Sequence, residues 1–178
     1  MEFVRLSIPD VVLIKPEIFG DERGYFFESF REDKLNSFLG YTVRFCQDNE
    51  SKSSQGVLRG LHFQKPPFEQ SKLVRVIEGT VLDVAVDIRK GSPTYGKYLA
   101  VELSSNNKNQ LFIPKGFAHG FVVLSKTAIF AYKVDNIYSP SADCGIAYND
   151  DEIGIDWKIC HDELVLSGRD ISLKPIAD

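Results

Sequence analysis

Apolar residues in this chain fall mostly into short runs with a two-residue period, separated by polar turns at intervals of roughly ten residues. Strands are predicted at Val11–Lys15, Tyr25–Phe30, Val43–Gln47, Val57–Phe63 and Lys72–Glu78. A turn at Gly79-Thr80 leads into V-L-D-V-A-V-D-I, where Leu82, Val84, Val86 and Ile88 share one face and Asp83 and Asp87 the other. Gly91-Ser92-Pro93 ends that strand. Leu99, Val101 and Leu103 mark the next one, and S-S-N-N-K-N is a turn. Leu111–Ile113, His119–Leu124 and Thr127–Asp135 complete the series. Only Glu32–Phe38 has helical spacing, with a further short turn expected at Asp162–Leu166. Many short strands without a Gly-rich phosphate loop predict an all-β sandwich or barrel. The looser tail, residues 137–178, is expected to pack across the barrel as a C-terminal extension of one domain spanning 1–178.

Two polar islands interrupt this apolar pattern. V-L-R-G-L-H-F-Q at Val57–Gln64 puts Arg59 and His62 into a strand, and P-K-G-F-A-H-G-F at Pro114–Phe121 carries His119. Polar groups in an apolar sheet are costly unless they are paired or put to chemical use. Tyr132 makes a third such position, on one face with Ala128, Phe130 and Val134, and its hydroxyl needs a partner or a role. Lys72 shares a face with Val74 and Val76, while Arg75 lies with Leu73 and Ile77. A free histidine has a pKa near neutrality, so a side chain of this type at position 62 can take or give a proton at neutral pH. Asp170, Asp83, Asp87 and Asp143 are all candidates for the carboxylate that orients it, and spacing does not choose among them. A buried lysine beside it would stabilise an enolate oxygen. The bland alternatives are a satisfied core histidine, a snorkelling lysine, an aromatic loop cap at Tyr138 and core anchoring for Trp157, the only tryptophan.

The 178 residues suffice for one domain with a sizeable core. A formal charge of −4 without a Lys/Arg cluster argues against nucleic-acid binding, although single arginines could still grip a phosphate. The three cysteines, Cys46, Cys144 and Cys160, lack paired metal-ligand spacing and read as free thiols. With neither a secretory core nor a membrane-length apolar run, a cytoplasmic protein is expected. Pro114, Gly116 and His119 match the second half of the metal-binding cupin pattern. The first half is incomplete, because Gln64 stands where a second histidine would follow His62. No catalytic metal is expected.

Seven ordered motifs resemble those of the dTDP-4-dehydrorhamnose 3,5-epimerase family. They are F-G-D-E-R-G-Y-F from Phe19, F-C-Q-D-N-E-S-K-S from Phe45 and G-V-L-R-G-L-H-F-Q from Gly56. K-L-V-R-V-I-E-G from Lys72, D-V-A-V-D-I-R from Asp83, I-P-K-G-F-A-H-G-F from Ile113 and Y-K-V-D-N-I-Y-S-P from Tyr132 follow. The resemblance implies a cupin-type double-stranded β-helix (jelly roll) with short peripheral helices, acting as a homodimer without metal or cofactor. It implies His62 as general base, Asp170 as its carboxylate, Tyr132 as general acid and Lys72 as the cation for the oxygen at C4 of a 4-ketosugar. Arg59, His119, Gln47 and Asn49 match substrate contacts. Phe19, Arg23 and Glu28 match an N-terminal segment that reaches substrate, partly across the dimer, and Tyr138 matches an aromatic contact to thymine. The implied reaction inverts C3 and C5 of dTDP-4-dehydro-6-deoxy-D-glucose through enolates. The alternatives are an epimerase of one centre only and a non-catalytic cupin that binds a nucleotide sugar. The chain departs from the family pattern at Asp143, which replaces a glutamate, at Asp151 and Lys158, and in L-S-G-R-D, where the family has L-S-x-K-D.

Overall fold

The computed structural model describes residues 1–176; residues 177 and 178, the last two of the expected C-terminal extension, lie outside it. The strands are β1 (Glu2–Arg5), β2 (Val12–Lys15), β3 (Phe19–Asp21), β4 (Gly24–Phe26), β5 (Gln47–Ser54), β6 (Leu58–Gln64), β7 (Lys72–Glu78), β8 (Thr80–Asp87), β9 (Tyr98–Ser104), β10 (Gln110–Ile113), β11 (Phe117–Val123), β12 (Thr127–Val134) and β13 (Asp143–Gly145). The helices are α1 (Glu32–Leu39) and the single turn α2 (Gly168–Ile171), with a 3-10 turn at His161–Glu163. A six-stranded sheet, in the order β1-β2-β10-β7-β12-β5, faces a five-stranded sheet in the order β13-β6-β11-β8-β9. This is the expected jelly-roll sandwich with short peripheral helices.

Three apolar layers hold the sandwich together. Val74, Val81, Ala85, Leu103, Leu111, Phe121 and Phe130 fill the space between the sheets. Leu35 of α1 packs with Val12, Ile14, Leu73 and Phe112 on the outer face of the six-stranded sheet. Leu58, Leu61, Leu82, Val84 and Val122 line the outer face of the five-stranded sheet, and Ile146, Tyr148, Ile153 and Trp157 of the C-terminal segment cover it. Trp157 anchors that cover, donating its indole N–H to Tyr148 O at 2.8 Å. Both faces of β8 are therefore buried, including the face that carries Asp83 and Asp87. Asp87 meets this cost by accepting from Arg89, Ser92 and Thr94.

Several element boundaries differ from expectation. The strand expected over Tyr25–Phe30 stops at Phe26, because β4 pairs only with the short β3 in an exposed hairpin. The strand expected at Val43–Gln47 instead begins at Gln47 and runs to Ser54. Hydrophobic alternation misses β5 because Q-D-N-E-S-K-S-S has no apolar face. It is an edge strand with one face toward solvent and the other, at Asn49 and Ser51, toward a polar cavity. The helix expected at Glu32–Phe38 runs one residue further and ends at Gly40, whose φ of 78° is left-handed and whose N–H closes on Asn36 O.

The decisive irregularity lies in β6. His119 and Phe121, two apart on β11, pair with His62 and Arg59, which are three apart. Residues three apart on a regular strand face opposite sides. The extra residue turns both Arg59 and His62 toward the space between the sheets, while Leu58 and Leu61 both face the outer layer. Glycine is required where the strands meet. Gly60 has φ +140°, and a Cβ there would stand 2.5 Å from Gly120 Cα; a Cβ on Gly120 would stand 2.7 Å from Arg59 O. Gly60→Ala is therefore expected to cost about 2–3 kcal/mol in urea unfolding, from backbone strain and overpacking. A value within about 0.5 kcal/mol of the wild-type chain would contradict this account.

Candidate active site

Between the sheets, at the end where β5, β6, β7, β11 and β12 converge, lies an open cavity of about 610 Å³. His62 and Arg59 enter from β6, His119 and Phe121 from β11, Lys72 from β7, Tyr132 and Phe130 from β12, and Asn49 and Ser51 from β5. The C-terminal segment closes one wall with Leu166, Ser167, Arg169 and Asp170.

The path of that segment explains how Asp170 reaches His62 across 108 positions of sequence. After covering the outer face of the five-stranded sheet, the chain docks beside β6 at Val165. Val165 N donates to Gly56 O at 2.9 Å, and Leu58 N donates to Val165 O at 3.0 Å. Ser167 then caps α2: its hydroxyl accepts from Asp170 N at 3.1 Å and donates to Asp170 Oδ2 at 2.8 Å. The other carboxylate oxygen, Oδ1, lies 2.6 Å from His62 Nε2. Asp170 is thereby buried, oriented and paired. With Nε2 donating to it, the second ring nitrogen of His62 keeps a free lone pair.

The structure resolves all four carboxylates left open by sequence spacing. Asp170 takes His62, and Asp83 takes His119, with Nε2 to Oδ1 at 2.8 Å. Asp87 belongs to the Arg89 cluster. Asp143 forms an ion pair with Arg169 at 2.8 Å and accepts from the Tyr138 hydroxyl at 2.9 Å.

Burial sets the protonation states. It pushes the His62 imidazole below its usual 6.5; the hydrogen bond and charge of Asp170 oppose that shift without overcoming it, so the ring is uncharged at neutral pH. Burial raises the Tyr132 phenol, with the Arg59 charge working the other way, so the phenol keeps its proton. Burial brings Lys72 down to about 8, with Asp83 and then Asp143 holding it up. Its ammonium donates to His62 O at 3.3 Å. An uncharged imidazole, a protonated phenol and an ammonium around one cavity form the set needed to move a proton at a carbon next to a carbonyl.

Of the residues singled out in the sequence, His62, Asp170, Tyr132, Lys72, Arg59, His119 and Asn49 meet in this cavity. Gln47 stands beside it on β5, donating to Asn49 Oδ1 at 2.8 Å. Tyr138 lies outside the lining and is exposed, tethered through Asp143 to Arg169. Phe19 and Arg23 lie on the exposed β3–β4 hairpin, where Arg23 pairs with Asp21. Glu28 pairs with Arg31 and Lys34 at 2.9 Å. None of these three reaches the cavity of its own chain. Sequence reasoning did not single out Ser167 or Arg169. The spacing S-x-x-D at Ser167–Asp170 is an N-cap pattern that could have revealed the first; Arg169 stands at the basic position of the L-S-x-K-D pattern, which was the available signal for the second.

Comparison with known proteins gives a consistent result. The family model described as dTDP-4-dehydrorhamnose 3,5-epimerase matches residues 5–178. The chain is 54% identical over 170 residues to the dTDP-4-dehydrorhamnose 3,5-epimerase of Escherichia coli K12, covering 96% of this chain and 91% of that protein. The crystal structure of the Elizabethkingia anophelis enzyme of the same name superposes with a TM-score of 0.97 at 48% identity, covering 100% of this chain and 97% of that one. A dTDP-6-deoxy-D-glucose-3,5-epimerase from Legionella pneumophila, solved in complex with dTDP-4-keto-L-rhamnose, superposes with a TM-score of 0.95 at 48% identity, over 99% and 93% of the two chains.

Proposed function

The chain belongs to the dTDP-4-dehydrorhamnose 3,5-epimerase family, and on that basis we infer how its cavity carries out the family reaction. The enzyme inverts C3 and C5 of dTDP-4-dehydro-6-deoxy-D-glucose, giving dTDP-4-dehydro-L-rhamnose. Both carbons lie next to the C4 ketone, so loss of a proton from either gives an enolate, and return of a proton from the opposite face inverts the centre.

The observation that carries the assignment of roles is the buried 2.6 Å pair between His62 and Asp170 at the wall of this cavity. His62 removes the proton through its free ring nitrogen. Asp170 fixes the tautomer and stabilises the imidazolium that forms. Lys72 meets the charge that develops on the C4 oxygen, in a site where burial strengthens the interaction. Tyr132, from the facing sheet, returns a proton on the other side. Arg59 and Arg169 stand where they can hold the diphosphate, with His119 and Asn49 completing the pocket.

Tyr132→Phe separates proton removal from inversion. Because His62 is untouched, solvent deuterium should still enter the substrate in part. Net inversion should fall about a hundredfold or more, most of all at C5, as loss of a general acid predicts. Proton NMR of product stereochemistry and of deuterium content at each carbon measures both. Inversion of both centres at a rate similar to wild type would remove Tyr132 from the acid role.

The enzyme works as a homodimer in this reading. Phe19, Tyr25 and Phe26 are 55%, 60% and 67% exposed on the β3–β4 hairpin, an unusual placement for three aromatics on a short two-stranded ribbon. Docked on a second copy, the hairpin would bury them and, with the segment that follows it, carry Phe19, Arg23 and Glu28 toward the partner's substrate. Light scattering at assay concentration should give twice the chain mass, and a fully active monomer would contradict the dimer.

A further inference from the structure

We propose that Asp83 is a positioning residue, the remote counter-charge that holds the Lys72 ammonium ready for the substrate oxygen while fixing the His119 ring. The proposal rests on the reading of Lys72 as the cation that meets the C4 oxygen.

Asp83 lies mid-strand in β8, on the face turned toward the other sheet, and is fully buried. Its Oδ1 takes His119 Nε2 at 2.8 Å. Its Oδ2 is buried without a hydrogen-bond partner, the one such side-chain atom among the described residues. A carboxylate left half-satisfied in a dry site is expensive and calls for a compensating charge. Lys72, on β7 of the facing sheet, has the complementary deficit. It is 8% exposed, and its one hydrogen bond goes to a neutral carbonyl, His62 O.

The other charged and titratable groups around Lys72 have partners or the wrong sign. Asp170 is held by His62 and Ser167, and Asp143 by Arg169 and Tyr138. Asp135, at the end of β12, faces the Ser71 N–H and Lys115. Arg59 and Arg169, on the same cavity, repel an ammonium, while His62 and Tyr132 are uncharged near neutrality. Asp83 is thus the largest single influence holding Lys72 in its charged form against burial.

Distance gives this arrangement its use. A carboxylate in direct contact would occupy the ammonium donors and compete with the substrate oxygen. A carboxylate acting through the low-dielectric interior favours the charge and leaves the donors free.

Asp83→Asn removes the charge and keeps an acceptor for His119. Lysine 13Cε NMR, with Lys72 identified by the signal lost in Lys72→Met, should place Lys72 near pH 8 in wild type and about one unit or more lower in the variant. Lys72 acts when protonated, so activity is lost as pH rises through its pKa. The alkaline limb of kcat/KM should therefore move down by the same interval. Lower activity at every pH with an unmoved limb and an unmoved Lys72 titration would overturn the proposal and leave Asp83 a purely structural residue. Should the variant fail to fold, the wild-type Asp83 13Cγ signal serves instead. It should show a step coincident with the Lys72 titration that disappears in Lys72→Met, and absence of the step would equally overturn the proposal. Because the NMR titrations need no substrate, failure of the epimerase reading would show separately, as wild-type protein without turnover at any pH.

Discussion

Everything at the active end of this sandwich depends on the close approach of two backbones, at Gly60 on β6 and Gly120 on β11. No side chain fits between them. That contact accommodates the extra residue of β6, and the extra residue sets the faces of everything around it. Arg59 and His62 turn inward together and line the same cavity. Leu58 and Leu61 turn outward together and make the apolar surface on which the C-terminal segment settles. The segment then runs back along β6 through Val165 and delivers Asp170 to the histidine that the same irregularity aimed inward. A regular strand would separate these functions, sending either Arg59 or His62 into the outer apolar layer.

Electrostatically, the cavity sets burial, the leading influence on His62, Lys72 and Tyr132, against nearby charges that oppose it only in part. Burial alone disfavours charge on His62, Lys72 and Tyr132 alike. The nearby carboxylates then act unequally. Asp170, in contact, raises the basicity of His62 without making it cationic at rest. Asp83 and Asp143, at longer range, support Lys72 without pairing with it. Among the described residues Tyr132 has no hydrogen-bonded anion, and burial keeps its phenol protonated. The fold thereby holds three different resting states within one pocket, which chemistry next to a ketone requires.

Much of this was legible in the sequence, for identifiable reasons. The strands β7, β8, β9 and β12 follow period-two alternation and stand where it placed them. His62, His119, Lys72 and Tyr132 stood out as polar groups on apolar faces, and all four line the cavity. Alternation could not find β5, whose inward face is polar because it borders the cavity instead of the core. Nor could it anticipate that Arg59 and His62 share a side, since the extra residue in β6 breaks the two-residue period of a regular strand. Gly60 inside a strand was the available signal for that break. The choice among Asp170, Asp83, Asp87 and Asp143 depends on contacts made across tens of residues, and no local pattern encodes them. Phe19, Arg23 and Glu28 lie outside their own cavity, and in the proposed dimer their surroundings would come from another chain, which no local pattern encodes.

The central claim is that His62, held by Asp170, removes the protons next to the ketone. The most direct test incubates dTDP-4-dehydro-6-deoxy-D-glucose in deuterium oxide with wild-type enzyme and with His62→Ala, following deuterium at C3 and C5 by NMR. The account predicts incorporation at both carbons with wild type and at neither with the variant, which should remain folded. Rapid incorporation at either carbon by the variant would contradict it.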